Sequence, residues 1–243
     1  MVATWGGYVF VLNMIASHTA ALVLVDRYTS KLHRAYSLFY VIGTLGAIRV
    51  PPVGMQPLKS LEQLVPLAIF LGMQLLEYVE IQRRAKRLTF AQVWALRIKL
   101  AIPCACVGVA VVAMIIPTGY FGPLSSRVRG LFLKHTRTGN PLVDSVAEHR
   151  PASGDAYHQF LSAAVFVAPV GAAVLCARRD GPTDAGLFLF LLGAAAYFFS
   201  SKMSRLIVLL ATPASALSGV ALGALYEAGF GSLLLGGGGG TRA

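Results

Sequence analysis

Residues 98–117 read IKLAIPCACVGVAVVAMIIP and carry one charge, on Lys99. A helix of about 20 predominantly apolar residues is long enough to cross the hydrocarbon core of a bilayer. The whole chain has the same character, with 56% hydrophobic residues, 13% charged residues and a mean hydropathy of +0.67. A soluble domain needs more polar surface than this composition offers. We therefore predict a polytopic membrane protein.

Six further apolar runs are predicted to cross the membrane, which gives an all-α, polytopic transmembrane helical bundle of about seven spans with one long external loop. The predicted spans cover about 5–25, 35–50, 61–79, 98–117, 159–177, 184–200 and 205–227. Internal prolines at positions 103, 169 and 213 are interpreted as kinks within membrane helices. The predicted organisation is a four-span segment at 1–117, a large loop at 118–158, a three-span segment at 159–229 and a flexible Gly-rich tail at 230–243.

Basic residues alternate between the connections, and this alternation predicts the orientation. Short loops rich in Lys and Arg stay on the cytoplasmic side of a membrane. The basic connections hold Arg27, Lys31 and Arg34, then Arg83, Arg84, Lys86, Arg87, Arg97 and Lys99, then Arg178 and Arg179. The N-terminus, the loop at 51–60, the long loop at 118–158 and the turn at 200–205 are therefore expected to share the opposite side.

The long loop holds five of the 21 basic residues, three of the ten acidic residues and three of the five histidines. Within it, the run Ser145, Val146, Ala147, Glu148, His149, Arg150, Pro151 concentrates an acid, an imidazole and a guanidinium. Glu148 could bind a divalent cation or act as a base, while the alternative is an ordinary solvated carboxylate. A zinc site is disfavoured, because the spacing of the loop's histidines and aspartates matches no usual ligand pattern.

Arg205 begins an otherwise apolar helix and is the second candidate site residue. One interpretation is an anchor that reaches the membrane interface with its charged head. The other is a clamp on a phosphate, since the planar guanidinium can donate two parallel hydrogen bonds and an ammonium cannot. Arg205 and Glu148 are expected on the same face of the membrane, which favours a lipid-phosphate substrate.

Other polar and reactive groups have structural interpretations. The basic residues lie in short clusters between apolar runs, so lipid headgroups explain them and nucleic acid is not expected as a partner. Cys104, Cys106 and Cys176 fall inside apolar runs and are expected to be small buried hydrophobes. Tyr8 and Tyr157, near predicted helix ends, are expected to be interfacial aromatics, as are Trp5 and Tyr120. Glu77 and Glu80 are expected to pair with the adjoining basic loop.

Four segments, in the correct order, resemble the catalytic subunit of eukaryotic oligosaccharyltransferase, in a protozoan-like form. Trp5-Gly6-Gly7-Tyr8-Val9-Phe10 is similar to the start of a family helix, and Val53-Gly54-Met55-Gln56-Pro57 is similar to a family loop. Residues 145–151 resemble the family's Ser-Val-Ser-Glu-His-Gln-Pro motif in a mobile external loop. Residues 205–213, followed by Ser218 and Gly219, resemble its Arg-Leu-Met-Leu-Val-Leu-Ala-Pro helix.

The resemblance implies a membrane glycosyltransferase of the GT-C type in the endoplasmic reticulum, with the long loop in the lumen. Its donor would be an oligosaccharide on dolichyl diphosphate, and its acceptor the Asn of an Asn-X-Ser/Thr sequon in a polypeptide. Glu148 matches the acid that meets the acceptor amide and the Mg²⁺ or Mn²⁺ site, and Arg205 matches the arginine that contacts the lipid diphosphate. Membrane lipid and other oligosaccharyltransferase subunits are the further partners that the resemblance implies.

The chain departs from the family pattern at several points. Arg150 stands where the family has Gln, and Ala152, Ser153 and Gly154 stand where it has Thr-Thr-Trp. An Asp-X-Asp loop upstream and a Trp-Trp-Asp-Tyr-Gly motif downstream are absent, so we expect a central fragment that is inactive alone. Two alternatives stay open: a polytopic transporter or channel, and a paralogue that binds lipid-linked sugar without transferring it.

Overall fold

The computed structural model describes residues 2–4, 6–121, 150–177 and 181–231, and the regular secondary structure of this part is entirely helical. The chain divides into two compact units, Met1–Ser125 and Ser126–Ala243. The α-helices of the first unit are α1 Tyr8–Leu24, α2 Ser30–Ile48, α3 Gln56–Lys59, α4 Leu64–Lys86 and α5 Phe90–Ile115. Those of the second are α6 Gly154–Leu161, α7 Ala164–Cys176, α8 Asp184–Lys202 and α9 Ile207–Tyr226. Short 3₁₀ turns occupy Leu61–Gln63, Ile116–Thr118 and Ser204–Leu206, and a π-helical turn covers Glu227–Gly231.

Each of the seven predicted apolar runs contains a helix, so the all-α prediction is confirmed. Among the described residues, four helical stretches are long and apolar enough to cross a membrane: Leu61–Lys86, Phe90–Thr118, Asp184–Lys202 and Ser204–Gly229. A fifth span is obtained when α6 and α7 are counted together, although they are bent by 84°. This part of the chain thus gives four to five spans by length and composition, compared with about seven expected. Helices α1 and α2 are not among these spans. Helix α1 has only 17 residues, and α2 carries the charged side chains of Lys31 and Arg34 near its start.

Several predictions concern residues outside the described ranges. They are the interfacial placement of Trp5, most of the long loop at 118–158 and nearly all of the Gly-rich tail at 230–243. These remain predictions.

The predicted span at 159–177 is bent by 84° between α6 and α7, ahead of the kink that was expected at Pro169. Ser162 has a positive φ of +48°, which ends α6 before the apolar α7 begins. Helix α6 starts inside the predicted loop at 118–158, because the Ser153 hydroxyl caps it by accepting a hydrogen bond from the backbone N–H of Ala156 at 3.2 Å. Ser153 and Gly154, which depart from the family pattern, are therefore the cap and the first residue of α6.

The first unit is held together by aromatic packing and by polar contacts at the helix ends. Tyr36 and Tyr40 of α2 pack with Met73 of α4 in a buried cluster that includes Ala16 of α1. Polar contacts then join the charged end of α4: the Tyr28 hydroxyl donates to Glu77 at 2.6 Å, and Arg83 and Arg84 donate to Glu80 at 2.9 and 3.0 Å. The predicted pairing of Glu80 with the basic residues is confirmed.

In the second unit, α7 packs against α9 through small side chains and one glycine. Ala168 and Leu175 of α7 meet Ala214 and Leu217 of α9 in its buried cluster. Gly171 faces Leu217 so closely that a Cβ atom placed on it would overlap the Leu217 carbonyl oxygen. Small residues let membrane helices approach in this way.

The cysteines are not buried, so that prediction was wrong. Cys104, Cys106 and Cys176 are free and exposed. Cys104 and Cys106 lie on α5, whose most apolar stretch has no buried residue. An apolar residue of a membrane helix needs no protein cover, because the lipid chains around it are equally apolar.

Candidate functional site

Arg205 occupies the 3₁₀ turn Ser204–Leu206 between α8 and α9. Met203 ends α8 in an extended conformation, with φ −149° and ψ 118°, so the chain changes direction before the arginine. Ile207, two residues later, is 1% exposed and anchors the start of α9. Arg205 itself is exposed. The turn therefore holds its backbone firmly while leaving the guanidinium accessible, as the sequence predicted for the start of this helix.

A backbone hydrogen bond joins this turn to the loop run at 145–151 that contains Glu148. The N–H of Ser204 donates to the carbonyl oxygen of Arg150 at 2.9 Å. These two residues are far apart in the sequence, yet their backbones meet one residue before Arg205. Glu148 and His149 lie outside the described residues. The structure thus positions Arg205 and the residue two places after Glu148.

Tyr157 fastens the same segment to α8 at a second point. Its hydroxyl lies 2.9 Å from the Ser200 hydroxyl, and the Ser200 hydroxyl in turn lies 2.8 Å from the Tyr197 carbonyl to which it donates. The rings of Tyr157 and Tyr197 are 6.0 Å apart. Ser200 has no exposed surface. Within the unit the ring and hydroxyl of Tyr157 pack and hydrogen-bond against α8, and its expected place at a membrane interface stays a prediction.

The surface around the turn is positively charged. Arg150, Lys202 and Arg205 are all exposed, and the ammonium of Lys202 lies 5.6 Å from the centroid of the Phe198 ring. None of the ion pairs found among the described residues involves Arg205. An exposed guanidinium without a carboxylate partner keeps its hydrogen-bond donors available for an anionic ligand.

The first unit contains a separate cavity of about 410 Å³, lined by residues from 2–9 and from 52–63. Two of the four segments that carry the family resemblance meet here. The Asn13 amide donates 2.9 Å hydrogen bonds to the carbonyl oxygens of Glu62 and Val9, and the Gln63 amide donates to the Tyr8 hydroxyl at 3.1 Å. The Tyr8 hydroxyl thus takes part in this network, and the expected place of Tyr8 at a membrane interface stays a prediction.

Gln63 is the most informative side chain of this cavity. It is 3% exposed, and its Oε1 atom has no hydrogen-bond partner in the part of the chain that the structure describes. A buried acceptor left unsatisfied costs about 1–3 kcal/mol. A rotation of the Gln63 amide would turn this acceptor toward the cavity, where a ligand hydroxyl could satisfy it. Sequence reasoning missed Gln63, because only its contacts reveal the unused oxygen.

No group of three or more His, Cys, Asp or Glu residues that could hold a metal ion occurs among the described residues. Those residues therefore provide no ligand set for the predicted Mg²⁺ or Mn²⁺. Glu148, the predicted metal ligand, lies outside them.

Comparison with known proteins identifies the relatives of the chain. A family model described as oligosaccharyl transferase STT3, N-terminal, matches residues 1–219. The STT3 subunit of dolichyl-diphosphooligosaccharide–protein glycosyltransferase from Dictyostelium discoideum is 35% identical over 228 residues, which cover 92% of this chain and 31% of that protein. The corresponding subunit from Schizosaccharomyces pombe is 32% identical over 230 residues, covering 93% of this chain and 30% of that protein. The chain thus spans about 30% of the length of these relatives.

The comparisons confirm the predicted resemblance and correct one part of it. The sequence predicted a central fragment, because motifs of the family were expected on both sides. The matching model instead describes the N-terminal domain of the family, and it covers most of the chain. The prediction of a central position was therefore wrong.

Proposed function

Because the chain belongs to the STT3 family of oligosaccharyl transferases, we propose that it supplies part of a membrane enzyme for protein N-glycosylation. The enzyme would move an oligosaccharide from dolichyl diphosphate to the Asn side chain of an Asn-X-Ser/Thr sequon. The proposed location is the endoplasmic reticulum membrane, with the loop at 118–158 in the lumen. The relatives are named as subunits, which supports other oligosaccharyltransferase subunits as partners.

The hydrogen bond from Ser204 to Arg150 is the observation that carries the proposal. It ties the turn of Arg205 to the chain that follows Glu148. Two α-carbons separated by one residue lie within about 7 Å of each other in any chain. We therefore infer that Glu148 acts near Arg150. The carboxylate of Glu148 could then act on the acceptor while the guanidinium of Arg205 acts on the donor of the same transfer reaction.

We assign Arg205 to the diphosphate of the donor. During transfer, the bond between the anomeric carbon of the sugar and a diphosphate oxygen breaks, and its electron pair stays on that oxygen. The departing diphosphate thus gains negative charge, which a guanidinium stabilises more strongly as the reaction proceeds. The planar fork of Arg205 can donate two parallel hydrogen bonds to the diphosphate oxygens.

We assign Glu148 to the acceptor side of the reaction. The Asn amide nitrogen forms the new bond to the anomeric carbon and loses one proton. A carboxylate that accepts a hydrogen bond from this N–H weakens the conjugation of the amide and can receive the proton. Mg²⁺ or Mn²⁺ beside Glu148 would, when bound, neutralise diphosphate charge.

We assign the cavity of the first unit to an uncharged, hydroxyl-bearing part of a substrate. Its polar lining includes the Tyr8 hydroxyl and the buried Gln63 amide, both of which suit a hydroxyl ligand. A saccharide presents many such hydroxyls.

Transfer to a fluorescent Asn-X-Thr peptide by the intact enzyme tests the proposal. Glu148→Gln should nearly abolish transfer, and Arg205→Lys should lower kcat/KM about tenfold, since a hydrogen bond to a charged group contributes about 1.5–3 kcal/mol. Arg49→Lys is the matched control, because Arg49 is also exposed at a helix end. Full activity of both site variants would refute the assignment. Binding of the lipid diphosphate without any transfer by the unmodified enzyme would support the non-catalytic paralogue instead.

A further inference from the structure

The connection between α4 and α5 concentrates positive charge in the first unit, independently of the Arg205 turn in the second unit. Residues 83–99 contain Arg83, Arg84, Lys86, Arg87, Arg97 and Lys99, and no acidic residue. Helix α4 ends at Arg87 in the left-handed conformation, and Thr89 begins α5 with a capping box. These devices make the connection short and well defined.

A cavity of about 150 Å³ lies at this connection, with Arg83, Arg97, Trp94 and Asp26 among its lining residues. A water molecule occupies about 30 Å³ of liquid, so the space corresponds to about five waters. It is large enough for a small polar group such as a phosphate, and too small for a folded partner.

Arg97 contributes a donor that the protein leaves unused. Its side chain is 19% exposed, and its guanidinium lies 5.0 Å from the centroid of the Trp94 ring. The Nε atom is buried and has no hydrogen-bond partner among the described residues. The contact with Trp94 fixes the guanidinium plane, and the terminal nitrogens keep N–H donors for a ligand in the cavity.

The carboxylate of Asp26 interacts with the guanidinium of Arg97 only weakly. Its Oδ1 lies 3.7 Å from Nη1 of Arg97, which is beyond hydrogen-bond distance, and the Asp26 side chain is 66% exposed. Arg83 donates one bond to Glu80, which leaves further N–H donors on its guanidinium. Two guanidiniums and one carboxylate line the cavity, so its net charge favours an anion.

The surface beyond Arg97 is apolar. Ile98 and Ile102 lie one turn apart on α5 and are 54% and 59% exposed. A phosphate in the cavity would therefore have an apolar helix face beside it. An anionic phospholipid has this combination of a phosphate and acyl chains, whereas free phosphate does not.

We propose that the Arg83–Arg97 cavity binds the phosphate group of an anionic phospholipid headgroup. Arg97 donates through its terminal guanidinium nitrogens, Arg83 adds a second positive charge, and the acyl chains follow the exposed face of α5. This site lies in the first unit and does not depend on the proposed transfer reaction.

Trp94 provides the reporter for the test, because the chain has two tryptophans and Trp5→Phe leaves Trp94 alone. The purified protein in detergent is titrated with short-chain phosphatidic acid, short-chain phosphatidylcholine and inorganic phosphate. Phosphatidic acid should change the Trp94 emission saturably and bind at least tenfold more tightly than phosphatidylcholine, as an order of magnitude for charge-assisted hydrogen bonds. Inorganic phosphate that binds as tightly as phosphatidic acid would overturn the lipid assignment.

Variants separate this site from general charge attraction. Arg97→Gln should weaken phosphatidic acid binding about tenfold, and Arg97→Lys should weaken it by a smaller factor, because the lysine keeps the charge without the planar fork of donors. Lys99→Gln removes the same charge from an exposed position two residues along α5 and should cost less than about fivefold. Equal losses in Arg97→Gln and Lys99→Gln, or unchanged binding in Arg97→Lys and Arg97→Gln, would overturn the proposal.

Discussion

Replacement of Gly171 by alanine should separate α7 from α9. A Cβ atom at this position would overlap the carbonyl oxygen of Leu217 and lie 2.7 Å from its carbonyl carbon. Carbon atoms pack best at about 3.5–4.0 Å, so the helices would have to part by about 0.8 Å or more. Both obstructing atoms belong to the backbone and cannot turn away. As the two helices part, the buried cluster of Ala168, Ala214 and Leu217 would also open.

The energetic cost follows from two opposing terms. Overpacking costs about 1–3 kcal/mol, while alanine is about 1 kcal/mol more favourable than glycine within a helix. The rigid backbone contact places the cost at the high end, so we expect a net loss of about 2 kcal/mol. For a chain of this size, that loss lowers Tm by about 4–8 °C.

Thermal unfolding in detergent micelles, followed by circular dichroism, measures this effect. Gly223→Ala on α9 is the matched control, because a Cβ there would meet no atom within 4 Å. This control should leave Tm unchanged or slightly raised. If Gly171→Ala unfolds at the same temperature as Gly223→Ala, the close approach of α7 and α9 is refuted.

Two further predictions concern the hydrogen bonds around the candidate sites. Tyr157→Phe should lower the stability of the second unit by about 1 kcal/mol, because the buried Ser200 hydroxyl loses its hydrogen bond with Tyr157 and keeps only the one to the Tyr197 carbonyl; unfolding in denaturant checks this, and unchanged stability would contradict the contact. Gln63→Leu should raise KM for the lipid-linked oligosaccharide in the intact enzyme about tenfold with a smaller effect on kcat, since it removes a hydrogen bond to substrate. An unchanged KM for the donor would exclude Gln63 from saccharide binding.

Hydropathy predicted which parts of the chain are helices, but it located their ends poorly. The predicted run at 61–79 extends as α4 to Lys86, and the run at 98–117 begins as α5 at Phe90. Charged residues at these ends keep the helical backbone while their head groups reach water, so an apolar run marks the hydrocarbon core and underestimates the helix. Capping residues such as Thr89 and Thr183 define the true starts.

Motif resemblance predicted Arg205 and its neighbourhood, whereas the supporting contacts could not be read from the chain. The bond between Ser204 and Arg150 and the packing of Tyr157 on Ser200 join residues that are distant in the sequence. The unused acceptor of Gln63 follows from the fold of its neighbours rather than from local sequence. The prediction that the cysteines are buried was wrong, because an apolar residue in a membrane helix can face lipid.

Disulfide formation between Arg150→Cys and Ser204→Cys tests the central claim most directly. The exposed native cysteines Cys104, Cys106 and Cys176 are first replaced by serine. Hydrogen-bonded backbones bring α-carbons within the roughly 4.4–6.8 Å that a disulfide spans. Arg150→Cys with Thr183→Cys is the negative control, since Thr183 caps the opposite end of α8, about 28 Å along the helix.

The intact protein carrying each pair of substitutions is oxidised in its membrane and digested, and the peptides are identified by mass spectrometry. The account predicts a disulfide-linked peptide pair that joins positions 150 and 204, and no linked pair from the control. Absence of the first linkage, or equal linkage of the control pair, would contradict the shared position of the Glu148 segment and Arg205.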